Sequence, residues 1–259
     1  MTKNRLSWAV AVAVSSAAGI CQAQFAYIAE SRSVFASSGG SPQQAEPPFA
    51  FADWTRQVSV SNTSGGSASA QQGSSFLASQ MNATPSTSIR RNTSAFSPPA
   101  VNAASTFRCT IQVSYPIRFE VSGAGDQGAS INVRRVSDGV MVLSLAPQTA
   151  YGQLISLMPG QYEITAELTD ESSGALFSNI NRSRQFTFQG RGLICRCDFD
   201  ANGVVDDSDF VIFAAAYDQF TCDPAPAPCI ADINQDGFVD DTDFVTFASE
   251  YDRFVCPVS

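Results

Sequence analysis

Two stretches near the C-terminal end of the chain are copies of one another, 34 residues apart. Asp198–Asp209 aligns with Asp232–Asp243, and the match continues as far as Cys222 and Cys256. The matching pairs beyond the first twelve positions include Phe210/Phe244, Val211/Val245, Phe213/Phe247, Ala214/Ala248, Tyr217/Tyr251 and Phe220/Phe254. A repeat of this kind predicts two copies of one supersecondary unit.

Each twelve-residue segment has the pattern of a calcium loop, with oxygen-bearing side chains at positions 1, 3 and 5, glycine at 6 and a carboxylate at 12. Glycine at position 6 allows the sharp turn around the ion. The expected side-chain ligands are Asp198, Asp200, Asn202 and Asp209 in the first segment, and Asp232, Asn234, Asp236 and Asp243 in the second. We also expect carbonyl ligands from Val204 and Phe238, water-mediated contacts from Asp206 and Asp240, and a short strand contact between Val205 and Val239.

The sequence therefore predicts two bound Ca²⁺ ions. Magnesium suits these segments less well, because it prefers near-octahedral sites that retain several waters. The alternative is a solvated acidic run that binds nothing. That alternative is disfavoured, because carboxylates concentrated in this way repel one another without a cation.

An amphipathic helix is predicted after each segment. Phe210, Phe213 and Tyr217 recur at helical spacing, as do their counterparts in the second copy. Asp206 and Asp240 are expected to cap these helices, and Asp209 and Asp243 favour the positive end of the helix dipole. We expect the aromatic faces to form the core between the repeats, with a partner-binding stripe as the alternative.

Charge and composition exclude several function classes. Residues 191–259 carry fourteen acidic and three basic residues, a formal charge of −11, whereas the rest of the chain carries +2. An acidic block of this density repels nucleic acids, so nucleic-acid binding is not expected. The chain contains no histidine, which excludes Ser-His-Asp and Cys-His catalysis.

The N-terminal residues predict export. Lys3 and Arg5 precede the apolar run Leu6–Ile20, and small residues follow at the usual cleavage positions. We expect a signal peptide over residues 1–23 and an extracellular or periplasmic location, secreted or at the cell surface. Lipid attachment at Cys21 is the alternative, although Ile20 is bulky for it. No later run of about 18 apolar residues predicts a membrane span.

The two loop-helix units resemble a dockerin domain, and a cysteine at each helix end resembles the cysteine-bearing dockerins of exported bacterial proteins. The resemblance covers residues 195–256. It implies a calcium-folded module that attaches its protein to a cohesin-type receptor or another cell-surface protein. In that family, loop positions 10 and 11 help to select the partner, and these correspond to Asp207, Ser208, Asp241 and Thr242. The acidic residues at position 10 depart from the family's usual Ser-Thr type pairs.

Six cysteines follow residue 23, and an even number in an exported chain predicts disulfides. A zinc site at Cys195 and Cys197 is the alternative, but the chain lacks a second close pair or histidine. If the dockerin-like helices pack antiparallel, the end of each helix meets the start of the other loop. That arrangement favours the pairs Cys195–Cys256 and Cys222–Cys229, and leaves Cys109 to pair with Cys197.

Residues 106–190 alternate with period two, which predicts strands. Phe107, Cys109, Ile111 and Val113 share one face; Ile117, Phe119 and Val121 share another, as do Tyr162, Ile164, Ala166 and Leu168. Asp138-Gly139 predicts a two-residue hairpin turn with positive φ at both residues. The expected fold is an antiparallel β sandwich, jelly-roll or Ig-like, followed by a small helical dockerin-like domain over residues 191–259. Residues 24–105 are rich in Ser, Ala and Gly, and we expect some strands among long polar loops there.

The expected function is that of a non-enzymatic surface protein displayed through its C-terminal module. One alternative is a carbohydrate-binding module that contacts polysaccharide through Trp54, Tyr115, Tyr151 or Tyr162. Another is a glycoside hydrolase, which would need two carboxylates about 5 to 9.5 Å apart across a cleft. Glu163 and Glu167 have strand spacing and are expected instead to solvate a face.

Overall fold

Strands and two helices follow one another along the chain in two blocks. The computed structural model describes residues 25–48, 50–63, 65–77, 80–91, 100–114, 116–172, 179–193, 197–217, 230–234 and 236–251. The strands are β1 (Phe25–Ser38), β2 (Ser41–Ala45), β3 (Trp54–Ser61), β4 (Gly66–Leu77), β5 (Gln80–Arg91), β6 (Val101–Val113), β7 (Ile117–Gly125), β8 (Ala129–Arg135), β9 (Met141–Leu145), β10 (Ala150–Leu157), β11 (Gly160–Ser172) and β12 (Ile180–Leu193). The helices are α1 (Asp207–Tyr217) and α2 (Asp241–Tyr251).

The strands form two six-stranded antiparallel sheets. The order is β2-β1-β6-β11-β8-β9 in the first sheet and β10-β7-β12-β5-β4-β3 in the second. The two sheets face each other over buried apolar residues, so the predicted antiparallel sandwich is confirmed. The alternating residues of β6, β7 and β11 form the larger part of this core, and Phe107, Ile111, Phe119 and Ile164 are each at most 1% exposed.

Residues 25–105 belong to the same sandwich as the residues after them. β1 pairs with β6 along the first sheet, and β5 pairs with β12 in the second. The change in composition at residues 105 and 106 falls inside β6, so it does not separate two folding units. The polar stretch thus supplies five complete strands to the sandwich, more than its composition predicts.

β4 shows why the strands of this stretch are hard to recognise. Its inward positions hold small or polar residues, including Ala68, Ala70, Gln72 and Ser74, and its outward positions hold Ser and Gln. The period-two pattern is present in burial but is faint in hydrophobicity. Small side chains allow the facing sheet to lie close, and the buried polar groups find partners there.

The β8–β9 hairpin forms where Asp138-Gly139 predicts it, but with a longer connection. Of the two residues, Gly139 has the positive φ, at 71°. Its N–H donates to the carbonyl oxygen of Arg135 at 3.0 Å, and the Arg135 N–H donates to Val140. The predicted two-residue turn is therefore wrong. Five residues, 136–140, connect β8 to β9, and the register of the hairpin shifts between Val133 and Arg134.

The C-terminal unit, which we define as the described residues from 197 to 251, has its own core. Phe213 and Phe247 stack with ring centroids 5.1 Å apart, and Phe199 stacks against both. Val205 and Val239, one from each repeat, are also buried here. The aromatic faces of the helices therefore form the core between the repeats, as predicted.

Candidate metal centre in the C-terminal unit

Loop 1 (Asp198–Asp209) is closed by its first carboxylate. The Asp198 side chain is buried and accepts hydrogen bonds from the backbone N–H groups of Asn202 at 2.9 Å and Gly203 at 2.8 Å. Gly203 has a φ of 97°, which a residue with a Cβ rarely adopts. The glycine at position 6 therefore turns the backbone so that its N–H group points at the carboxylate of position 1.

The last carboxylate of loop 1 binds the other side of the turn. Asp209 is fully buried, and its Oδ1 accepts hydrogen bonds from the N–H groups of Phe199 at 2.6 Å and Asp200 at 3.2 Å. Its Oδ2 accepts from Asp206 at 3.0 Å. The side chains of positions 1 and 12 thus orient the backbone of the loop toward a common centre.

Loop 2 (Asp232–Asp243) repeats this network. Asp232 accepts from the N–H groups of positions 5 and 6, and Asp243 accepts from those of positions 2, 3 and 9. The distances are 3.1 Å from Asp236, 2.9 Å from Gly237, 2.8 Å from Ile233, 3.0 Å from Asn234 and 3.0 Å from Asp240. Two segments 34 residues apart therefore make the same turn, with five equivalent backbone N–H bonds to the carboxylates of positions 1 and 12 in each.

Three carboxylates converge in loop 1. Oxygens of Asp198, Asp200 and Asp209 lie within 4.8 Å of one another, and two of these residues are buried. Burial raises the pKa of Asp198 to about 6, and the neighbouring charge of Asp209 adds to the rise against the backbone hydrogen bonds that lower it. Burial also raises the pKa of Asp209. Oxygen donors that are desolvated and mutually repulsive fit a hard divalent cation, which removes both penalties.

The other predicted ligands accept hydrogen bonds from nearby backbone N–H groups. The side-chain oxygens of Asn202 and Asp236 at position 5 accept from the N–H groups of Val204 and Phe238. Asp206 and Asp240 accept from the N–H groups of Ser208 and Thr242, each at 2.8 Å, and so cap the two helices as expected. Single β-bridges form at Val204 and Phe238, one position before the valines predicted to pair. Those valines turn inward instead, into the core.

The predicted partner-selecting residues at position 10 have partners inside the unit. The Tyr251 hydroxyl donates to Asp207, and the Tyr217 hydroxyl donates to Asp241. Each bond joins the end of one helix to the start of the other, so the helices run antiparallel with a pseudo-twofold relation. Ser208 and Thr242 at position 11 are exposed. Of the four predicted residues, the two aspartates therefore also hold the repeats together.

Exposed apolar side chains lie on both sides of this pseudo-twofold axis. Phe210 and Phe244 are 43% and 44% exposed, and Val211 and Val245 are 66% and 67% exposed. Two shallow grooves of about 420 and 460 Å³ flank the two phenylalanines and are lined by equivalent residues of the two repeats. The unit thus presents two similar apolar grooves beside its helix starts.

The cysteines are described only in part. Cys195, Cys222, Cys229 and Cys256 lie outside the described residues, so their predicted pairs stay predictions. Cys109 is a free, buried thiol in the sandwich core, and burial raises its pKa, with the charge of Glu30 adding to the rise. Cys197 is buried in the core of the C-terminal unit. The expected Cys109–Cys197 disulfide is therefore not formed, because each side chain faces the interior of a different core.

The aromatic residues considered for sugar binding are largely internal. Trp54 is 9% exposed, with the Arg32 guanidinium 5.8 Å from its ring centroid, and Tyr162 is 2% exposed. The half-buried Tyr151 donates its hydroxyl hydrogen to the Thr187 carbonyl oxygen at 2.8 Å. Tyr115 lies outside the described residues. The three described rings are therefore used in packing and backbone hydrogen bonds.

The carboxylates considered for hydrolysis lie on an outer sheet face. Glu163 and Glu167 both point away from the core of β11, and Glu163 pairs with Arg134 at 3.0 Å. An ion-paired carboxylate on an open sheet face solvates that face, as expected.

Two sandwich residues that the sequence did not single out contact loop 1. The Ser156 hydroxyl donates to the Ala201 carbonyl oxygen at 2.7 Å. The Arg118 guanidinium lies against Gly203, where an added Cβ would come within 1.9 Å of Nη1. No local pattern identifies these residues, because both are ordinary outward positions of strands.

Comparison with known proteins adds little to this geometry. No protein-family model matches the chain, and no curated protein matches it. One solved structure that matches is the crystal structure of a GH31 alpha-xylosidase from Xanthomonas citri, with 9% identity and a TM-score of 0.20. The match covers 76% of this chain and 30% of the xylosidase chain. A TM-score this low carries no argument about fold or activity. Among the described residues, no helix is long and apolar enough to cross a bilayer.

Proposed function

We propose that the C-terminal unit is a calcium-folded docking module of the dockerin type, which attaches an exported, non-enzymatic β sandwich to a cohesin-type or other cell-surface protein. The observation that carries the proposal is the matched hydrogen-bond network of loops 1 and 2. Two copies of an oxygen-rich turn, each closed by carboxylates at positions 1 and 12, support two calcium sites better than an acidic run without a ligand.

Calcium would be held in loop 1 by the three convergent carboxylates together with Asn202, and in loop 2 by their counterparts. Its role is structural, because the positive charge offsets the repulsion among the carboxylates and favours the folded turn. The helices and their shared aromatic core depend in turn on the loops from which they start. The folded unit then offers its two equivalent apolar grooves and the exposed residues at position 11 to a partner.

Calcium binding is tested by titrating the full-length protein with Ca²⁺ after treatment with a chelator, with calorimetry and circular dichroism as readouts. We expect heat of binding for two ions and a gain in helical signal. The double variant Asp198→Ala/Asp232→Ala should lose both, because each substitution removes a first ligand and the acceptor of two backbone N–H groups.

A matched control is the double variant Asp207→Ala/Asp241→Ala, which changes the charge by the same amount at exposed positions. It should keep calcium binding.

Binding to a partner is tested by capture from a cell-envelope extract in the presence of calcium or of chelator. The variant Asp207→Ala/Asp241→Ala should capture less of the partner. An absence of binding heat and of any change in circular dichroism for the unaltered protein would refute the proposal.

A further inference from the structure

Loop 1 touches the sandwich at two adjoining points. Ser156 on β10 and Arg118 on β7 are direct partners in the register of these two strands. One donates a hydrogen bond to position 4 of the loop, and the other packs against position 6. Together they form a small two-strand seat for the turn of loop 1.

In loop 2 only the glycine position can be compared, because Gln235, the equivalent of Ala201, lies outside the described residues. Gly237 has a φ of 95°, close to that of Gly203, but a Cβ added there would meet no described atom within 4 Å. The two repeats are alike in their internal hydrogen bonds and differ in this external contact. Among the described residues, the sandwich therefore contacts the position-6 glycine of loop 1 and not that of loop 2.

The contacted atoms lie between the proposed ligand positions. Ala201 has a φ of 57°, a left-handed conformation that is unusual for a residue with a Cβ and that directs its carbonyl oxygen outward to Ser156. Gly203 is held by its N–H bond to Asp198. The closed turn places the Ala201 carbonyl oxygen against Ser156 and the Gly203 backbone against Arg118. Opening of loop 1 would remove both contacts.

We infer that loop 1 is a calcium-dependent latch, which joins the C-terminal unit to the β7–β10 edge of the sandwich when its ion is bound. This inference rests on the proposed calcium binding. Because the two events share the closed turn, each favours the other by the same factor. Calcium at loop 1 stabilises the sandwich, and the contacts with Ser156 and Arg118 strengthen calcium binding at loop 1.

The test monitors the sandwich by itself. Of the two tryptophans in the chain, Trp54 lies in the sandwich and Trp8 lies in the predicted signal peptide, so Trp8→Phe removes the signal of any uncleaved leader. Thermal unfolding of this full-length variant, followed by Trp54 fluorescence, should show a midpoint roughly 2 to 4 °C higher in calcium than in chelator. Circular dichroism of the same samples reports the C-terminal helices.

Two pairs of matched substitutions locate the coupling. Ser156→Ala should remove most of the shift and weaken calcium binding at one of the two sites by about fivefold, whereas Ser144→Ala, which removes a sheet-surface hydrogen bond elsewhere, should keep the shift. Arg118→Met, which removes the guanidinium that lies against Gly203, should also reduce the shift, whereas Arg134→Met, which removes an exposed arginine paired with Glu163, should keep it.

The outcomes separate this inference from the proposed function. If calcium increases the helical signal but leaves the Trp54 midpoint unchanged, the latch is overturned and the calcium module stands. A calcium shift that survives in Ser156→Ala and in Arg118→Met overturns it as well. If calcium changes neither signal, the proposed function fails, and the latch fails with it.

Discussion

Replacement of Arg32 by methionine should strongly destabilise the sandwich, because Arg32 is the cation of a buried ion pair with Glu30. The two side chains are 0% and 3% exposed. The Arg32 guanidinium also donates to the Ala52 carbonyl oxygen at 2.7 Å and to the Ser74 hydroxyl at 3.0 Å. Without it, a carboxylate is left buried and unpaired, for which we expect a loss of about 3–5 kcal/mol in the free energy of unfolding.

Replacing Glu30 as well as Arg32 shows whether the unpaired charge causes the loss of stability. In the double variant Glu30→Leu/Arg32→Met neither charge of this pair is left buried. The main loss is the acceptor of the Phe51 N–H group, which in the unaltered protein is Glu30 at 2.7 Å. An unsatisfied N–H costs roughly 1–3 kcal/mol, so the double variant should be more stable than Arg32→Met alone. The loss is expected to extend to the turn around Phe51, whose φ is 55°.

Urea unfolding followed by Trp54 fluorescence measures both variants, since the Trp54 ring lies beside Arg32. The control is Arg135→Met, which removes an arginine from an exposed pair with Asp138 and should cost less than about 1 kcal/mol. A small loss for Arg32→Met, or a double variant less stable than the single one, would refute the argument from an unpaired buried charge.

Two further predictions concern the cores. Phe213→Ala should cost the C-terminal unit about 3–5 kcal/mol, because this ring is 1% exposed and stacks on Phe247, whereas Phe210→Ala at 43% exposure should cost less than half as much. Urea unfolding followed by the helical circular dichroism signal in calcium distinguishes them, and equal losses would contradict the assigned core. Cys109 should react slowly with a thiol reagent at about pH 8 in the folded protein and quickly after unfolding without reductant, because burial raises its pKa and keeps the thiol protonated. If Cys109 reacted only after reduction, it would be in a disulfide.

The sandwich was predictable where hydrophobicity alternates and unpredictable where it does not. β6 carries Phe107, Ile111 and Val113 on one face. A large apolar side chain at every second position predicts a strand with one buried face. In β4 most of the inward residues are small or polar, like the outward ones, so their burial is decided by the facing sheet. Strands of that kind gain stability from neighbours distant in sequence, and no local window contains that information.

The helix caps at Asp206 and Asp240 were predictable from the sequence, since their hydrogen bonds join residues two positions apart. The bonds from the loop backbone to the first and last carboxylates were not predicted, although they join residues at most ten positions apart. The bonds from Tyr217 to Asp241 and from Tyr251 to Asp207 were not predictable from the sequence, although each of these residues has its equivalent in the other repeat. They depend on the antiparallel packing of α1 on α2, which places the end of one helix at the start of the other. The spacing of 34 residues is compatible with other arrangements.

The amino-acid sequence by itself determines the two oxygen-rich turns, the helices that begin from them and the alternating strands, because these features arise from contacts between near neighbours in the chain. Only the tertiary structure decides that the Ser- and Ala-rich stretch completes both sheets, that Cys109 and Cys197 face separate cores, and that Gly203 lies against β7 while Gly237 has open space around it. Those outcomes depend on which distant surfaces meet. Two sequence repeats with the same loop pattern therefore acquire different surroundings at position 6.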